Sequence, residues 1–272
     1  MNSSNDTMTA SGTDSHHKVY ERAEIYDFAL ADKDFSQECS FLTSCFEDIR
    51  RRPPASWLEV AAGPARHTLE MARRGLRCTA LDLSPEMVRF GRQLGEHEGF
   101  PFTYMCGDMS DFRLDEPVDL AGIFLDSITV MLDNDVLDRH LSCMADALAD
   151  DGLYILELSH PSDYFGTRTA VSEWETTRDG KTVYVKWGHD DDPFDPVTQI
   201  TQESVYITVT ENGRTTEIRD TSRSRIYTAT EFEALVQSNG RFETVARYGA
   251  MDENIDLHHP KAWRNVVVLQ KR

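Results

Sequence analysis

Trp57-Leu58-Glu59-Val60-Ala61-Ala62-Gly63-Pro64-Ala65-Arg66-His67 is the stretch from which the rest of the chain can be read. Its apolar start reads as a buried strand. The small residues Ala61, Ala62 and Gly63 read as a turn, and Thr68 to Arg74 has helical character. Such a turn lets the backbone come close to a ligand at the positive end of a helix. A second apolar strand follows at Cys78 to Leu83, with Asp82 near its end. Strand, small-residue loop, helix and acid-ended strand are the plan of a nucleoside-binding βαβ unit, in which the acid takes ribose hydroxyls.

Two cofactors compete for this loop. A dinucleotide site asks for G-x-G-x-x-G, and A-A-G-P-A supplies it poorly. An S-adenosylmethionine (SAM) site asks for an acid ahead of the glycines, as in E/D-x-G-x-G-x-G. Here Glu59 is that acid, Gly63 the middle glycine, and Ala61 and Ala65 replace the outer ones. An acid near the turn suits a cofactor with an ammonium and a sulfonium but no phosphate. An ordinary crossover that binds nothing is the third reading, and the context decides between them.

The 272 residues carry 28 basic and 47 acidic side chains, net −19, which argues against nucleic acid because phosphate binding needs a basic footprint. Forty per cent apolar residues suffice for a core in one elaborated α/β domain or two small ones. Five cysteines (Cys39, Cys45, Cys78, Cys106, Cys143) without a C-x-x-C pair read as free thiols in a reducing compartment, with no metal site expected. There is no signal-peptide pattern and no run near the roughly 20 apolar residues that span a bilayer, so the cytoplasm is the expected location.

Residues 1–17 are polar and patternless and read as a disordered tail. Helical periodicity predicts helices over 19–30 and 34–50, stopped by Pro53-Pro54, as a lid segment spanning 18–52. Ser84-Pro85 opens a further helix, to about Glu98. Strands are expected at Phe102–Cys106, Val118–Leu125 and Leu153–Leu158, with a helix at Asn134–Ala149 stopped by Asp150-Asp151-Gly152. Strands alternating with helices predict a doubly wound parallel sheet over 53–160, its ligand crevice at the carboxyl ends of the strands. Glu59, Gly63, Asp82, Asp108, Asp126 and Glu157 all fall there. Residues 168–228 alternate with period two, with strands at Thr182–Trp187, Gln199–Thr210 and Thr215–Tyr227 and a Glu211-Asn212-Gly213 hairpin turn, so 161–228 reads as an antiparallel cap over the pocket. The core resumes over 229–272 with a helix capped by Thr230 and strands at Phe242–Tyr248 and Asn265–Gln270.

In this order the loop E-V-A-A-G-P-A-R-H, L-D-L-S-P-E-M, G-D-M-S-D-F, D-L-A-G-I-F-L-D-S-I and A-L-A-D-D-G-L-Y-I-L-E-L resemble the class I SAM-dependent methyltransferases. The chain is more narrowly similar to the small-molecule branch with the amino-sugar N,N-dimethyltransferases and glycine N-methyltransferase. That branch has a helical lid with a Tyr, a K-D-[YF]-x-x-E segment (here Lys33 to Glu38) and an antiparallel insertion.

The resemblance implies an α/β fold with a mostly parallel seven-stranded sheet, a lid and a cap. It implies SAM as cofactor, and methyl transfer to N, O or C of a small molecule by proximity and orientation. Glu59, Ala61 and Gly63 would wall the methionine part; Asp82 would hold the ribose; Leu83 and Met87 would lie beside the adenine; Asp108 and Met109 would hold it; Leu125 would sit by the transferring methyl. Arg66 is the candidate for the cofactor's carboxylate and Tyr26 for closing the site. His160 is the candidate base, with Tyr26, Asp126 and Tyr164 as neighbours. Ser127-Ile128-Thr129-Val130-Met131 predicts an apolar substrate wall where the sugar enzymes are polar. A same-fold enzyme that cyclises or cleaves SAM is the alternative. The expected partners are a small-molecule substrate and, as an oligomer, a second copy of the chain, with neither nucleic acid nor membrane.

Overall fold

The computed structural model describes residues 18–165 and 171–272, without the side chains of Tyr164 and Phe165. The expected tail at 1–17 lies outside the described residues. In chain order the elements are α1 (Ala23–Ala29), α2 (Phe35–Arg50), β1 (Ser56–Val60), α3 (Arg66–Arg73), β2 (Arg77–Asp82), α4 (Pro85–Glu98), β3 (Thr103–Cys106) and β4 (Val118–Ile123). A 3₁₀ turn (Ser127–Val130), α5 (Asn134–Ala147), β5 (Leu148–Ser159) and α6 (Ser162–Phe165) complete the first half. Then come β6 (Ser172–Arg178), β7 (Lys181–Trp187), β8 (Phe194–Asp195), β9 (Ile200–Glu211), β10 (Arg214–Arg225), α7 (Ala229–Asn239), β11 (Phe242–Tyr248) and β12 (Arg264–Lys271).

The main sheet runs β11-β12-β5-β4-β1-β2-β3. Only β12 runs antiparallel to its neighbours, so the sheet is the mostly parallel seven-stranded one expected. β1 and β4 are buried along their whole length, as central strands covered on both faces must be. One apolar layer joins the sheet to α5 and α7 through Leu137, Leu141, Phe232 and Val236. The other joins it to α2 through Leu42 and Phe46, around Trp57 stacked on Phe124. Gly122 is required there, because a Cβ would lie 2.3 Å from the Phe124 ring.

The period-two segment is a second sheet, β10-β9-β7-β6 with β8 on β9, all antiparallel. Its hairpin turn is the expected one: Asn212 and Gly213 both take positive φ, 50° and 71°, as a two-residue turn between right-twisted strands demands. Val183, Val185, Val205, Ile207 and Val209 form the face that packs on Val19, Ile25 and Ala29 of the lid. A seven-residue helix does not hold itself in water, so α1 stands on this contact.

Several boundaries move. α7 is capped by Thr228, whose Oγ1 accepts from Glu231 N, rather than by Thr230; T-A-T-E fits the capping pattern as well as the stretch two residues on. α5 ends at Ala147, and Asp150-Asp151-Gly152 becomes an irregularity within a longer β5 rather than a stop before it. β6 and β8 lie in the alternating stretch but have no separate signal in the sequence.

Candidate functional site

The loop after β1 has the backbone that its residue types obscure. Ala61, Gly63 and Ala65 alternate in the left-handed region at φ 51°, 53° and 59°. These are the three glycine positions of the motif, so the conformation is kept where two glycines are not. An L-residue held there costs about 1–2 kcal/mol, which the surroundings must offset.

What holds the loop is a set of carboxylates. Asp82, at the end of β2, accepts from Gly63 N through Oδ2 (2.8 Å) and from Ser84 N through Oδ1 (2.8 Å). It thereby ties the loop to the start of α4. Burial pushes its pKa up, against these amide bonds. Each oxygen keeps a further lone pair for a hydroxyl. Glu59 is buried, and its acceptors are already used: Oε2 takes Thr68 N (2.9 Å) and Thr68 Oγ1 (2.6 Å), and Oε1 faces His67 Nδ1 at 3.0 Å. It shapes the start of α3 from beneath the loop.

His67 is the residue that sequence reading passed over. Its Nε2 reaches Glu38 Oε2 at 2.7 Å, so the buried ring is clasped between carboxylates of β1 and α2. Burial opposes its charge, but Glu38 and Glu59 outweigh that and raise its pKa to about 9. Glu38 also pairs with Lys33, while Asp34 caps α2 by accepting from Gln37 N. The K-D-F-x-x-E segment is thus a turn, a cap and an anchor for His67.

The lid brings Tyr26 over the loop, its Cε1 3.8 Å from where a Cβ on Gly63 would stand. The Tyr26 hydroxyl is pushed up to about 12 by burial and by Asp82. Arg66, expected to meet a cofactor carboxylate, is instead clamped to Asp27 of α1 by Nε–Oδ1 and Nη2–Oδ2, both 2.5 Å. The bidentate pair locks the lid to the start of α3.

Of the residues expected beside an adenine, Leu83 is 56% exposed next to Asp82, whereas Met87 is 1% exposed and belongs to the interior. Asp108 Oδ1 accepts from Ser110 N and Oγ, and Met109 packs against the core.

At the end of β4, Leu125 and Asp126 are consecutive left-handed residues, φ 55° and 57°. Glu157 accepts from Leu125 N at 2.9 Å. Asp126 Oδ2 accepts from Ser159 Oγ and Arg264 Nη1, each at 2.6 Å, while Oδ1 is buried without a hydrogen-bond partner. Burial pushes the Asp126 carboxyl up and Arg264 pulls against it. Strained backbone is over-represented where function needs a fixed direction.

Two expectations change here. His160 presents no free nitrogen: Nε2 donates to Leu257 O at 2.9 Å, and Nδ1 pairs with Ser162 Oγ at 2.6 Å. It closes the turn into α6, with both ring nitrogens engaged. The apolar wall is also mostly turned inward. Ile128 and Met131 are core residues, and of the five only Val130, 46% exposed, presents an apolar side chain to solvent. The side chain of Tyr164 lies outside what the structure describes.

Residues 58–152 match the family described as a methyltransferase domain. The matched segment is about a third of the chain. A Geobacillus sp. (strain WCH70) protein with a provisional methyltransferase name is 21% identical over 133 residues, 49% of this chain and 54% of that protein. The match therefore spans only about half the length of that curated relative. Solved structures agree over nearly the whole chain. A SAM-dependent methyltransferase from Clostridium acetobutylicum ATCC 824 aligns at TM-score 0.76 and 17% identity, over 92% of this chain and 97% of its own. DesVI of Streptomyces venezuelae aligns at 0.76 and 21%, over 92% and 98%. The sugar N-methyltransferase KedS8 from Streptoalloteichus sp. ATCC 53650 aligns at 0.73 and 17%, over 98% of both. At such identities the likeness establishes the fold alone: the chain has the class I methyltransferase architecture, lid and cap included.

Proposed function

We propose that the protein is a SAM-dependent methyltransferase acting on a small-molecule acceptor. The observation that carries this is Asp82. A carboxylate at the end of β2 is hydrogen-bonded to the amide of Gly63 in a loop whose three glycine positions are all left-handed. That donor set fits the cofactor: an acid with lone pairs for vicinal hydroxyls, a close-approach backbone and an aromatic lid. When bound, the cofactor supplies an electrophilic methyl group on a sulfonium.

The rest falls to the chain's own residues. Asp82 would hold the ribose, Asp108 and Leu83 would border the adenine, and Ala61 and Gly63 would border the methionine part. Arg66 keeps Nη1 for a carboxylate while Asp27 holds its other edge. Tyr26 would exclude water from above. The amide of Leu125, fixed by Glu157, sets the wall from which an acceptor is aligned. Alignment of nucleophile, methyl and leaving group is the main contribution a protein makes to such a displacement.

Calorimetric titration with S-adenosylhomocysteine tests the reading. Micromolar binding is expected, weakened at least a hundredfold in Asp82→Ala. Absence of binding to the wild-type protein overturns the reading.

A further inference from the structure

α5 turns Leu137, Leu141, Met144 and Ala145 onto the sheet, and on the same inward face it carries His140. His140 is fully buried, and so is Tyr154 of β5 beside it. A polar ring in such a layer costs stability unless both its nitrogens have partners. Both do: Nδ1 stands 2.8 Å from Met109 O, and Nε2 stands 2.8 Å from the Tyr154 hydroxyl. A carbonyl oxygen only accepts, so Nδ1 carries the proton, and Nε2, bare in the neutral ring, accepts from the phenol. Burial pushes the pKa of His140 down to about 4, so the ring is neutral at pH 7. Donation therefore runs one way, from Tyr154 through His140 to Met109.

That carbonyl belongs to the loop after β3, in which Asp108 would border the adenine. The loop starts beside the ribose acid, Gly107 N donating to Asp82 O at 2.9 Å. Asp108 is exposed, and its Oδ1 accepts from Ser110 N at 2.7 Å and from Ser110 Oγ at 2.8 Å, so Met109 is the middle of a turn closed by a side chain. One turn of α5 holds the inner side of that loop: His140 donates to Met109 O and, three residues on, Cys143 Sγ donates to Ser110 O at 3.3 Å. Among the described residues no other donor reaches Met109 O. An apolar side chain at position 140 would pack as its neighbours do and leave that carbonyl unheld. What the histidine adds is a hold on the loop.

We propose that His140, oriented by Tyr154, is a positioning residue for the cofactor's adenine: it fixes the turn from Asp108 to Ser110 so that the Asp108 carboxylate accepts from the exocyclic amine. This rests on the methyltransferase reading and concerns the same site. His140 itself touches no ligand and acts through Met109 O.

The test compares S-adenosylhomocysteine with S-inosylhomocysteine, in which a carbonyl replaces the amine, by calorimetric titration of the full chain. The wild-type protein is expected to bind the adenine form about tenfold or more tighter, as a hydrogen bond to a charged group predicts. His140→Leu should bring the two affinities to within about threefold, a residue of that same bond. His140→Asn, whose side-chain amide can stand where Nδ1 stands, should restore most of the preference. A histidine that only filled the core would, when replaced, weaken both forms by one factor or lower the thermal midpoint with the preference intact; either result overturns the proposal. Independently of any variant, nitrogen NMR of the wild-type protein at pH 7 should show His140 with a protonated Nδ1 and a bare Nε2. The opposite tautomer or a charged ring overturns the proposal even where His140→Leu does not fold. A wild-type protein that binds S-adenosylhomocysteine without preferring it to the inosine form also overturns it, whereas binding of neither form is the failure of the methyltransferase reading itself.

Discussion

Ala61 shows how a motif survives without its residue types. Its Cβ sits in a left-handed backbone at φ 51°, partly buried against the core. Glycine there removes about 1–2 kcal/mol of strain and gives back roughly 0.5–1 kcal/mol in unfolded-chain entropy. Ala61→Gly is therefore expected to stabilise the protein by up to about 1 kcal/mol, read as a higher midpoint in urea unfolding. A clear fall in the midpoint would show that the Ala61 Cβ contributes packing worth more than the strain. The outer alanines hid the turn from a strict glycine pattern, yet Glu59, Gly63 and Asp82 at their spacing were enough to place it. The tasks of Glu59, Arg66 and His160 were not legible, because each depends on a partner 8, 39 or 97 residues away in the chain.

At the scale of elements, His67 joins α3 to β1 and α2 by two carboxylates, and its charge is part of the fold. Glu38 and Glu59 hold its pKa at about 9 in the fold, above the ordinary 6.5 of a histidine. A raised folded pKa means stability that is complete below about 6.5 and lost as pH rises through 9. Urea unfolding should thus show stability falling from pH 7 to pH 9.5, with that slope reduced in His67→Gln. An identical slope in the variant would mean that His67 is neutral in the fold. The lid adds a second clasp, Asp27 to Arg66, beside its apolar contact with the cap. Helical spacing announced α1 and α2, but nothing in it announced which residues would tie them down.

Over the whole molecule, a net charge of −19 on 272 residues makes the compact state repel itself. Salt screens such repulsion within about 10 Å at 0.1 M. The thermal midpoint should therefore rise by several degrees between 10 mM and 500 mM sodium chloride; a flat or falling midpoint would show that local ion pairs such as Arg52 with Asp119 and Asp151 dominate. Among the described residues no helix is long and apolar enough to cross a membrane.

The sequence by itself determined the alternation of strands and helices, the acid-ended strands around the crevice and the switch to period two in the cap. These are local: apolar spacing, turn residues and caps act within a few positions of one another. Only the tertiary structure decided that Met87 is interior, that Ile128 and Met131 turn inward, that His160 is tied to Leu257, and that Glu203 accepts from Trp187 and Ser224. A side chain's surroundings are set by elements far away in the chain. Period two says that Glu203 shares a face with Val205, but only the docking of that face on lid and core says what it meets.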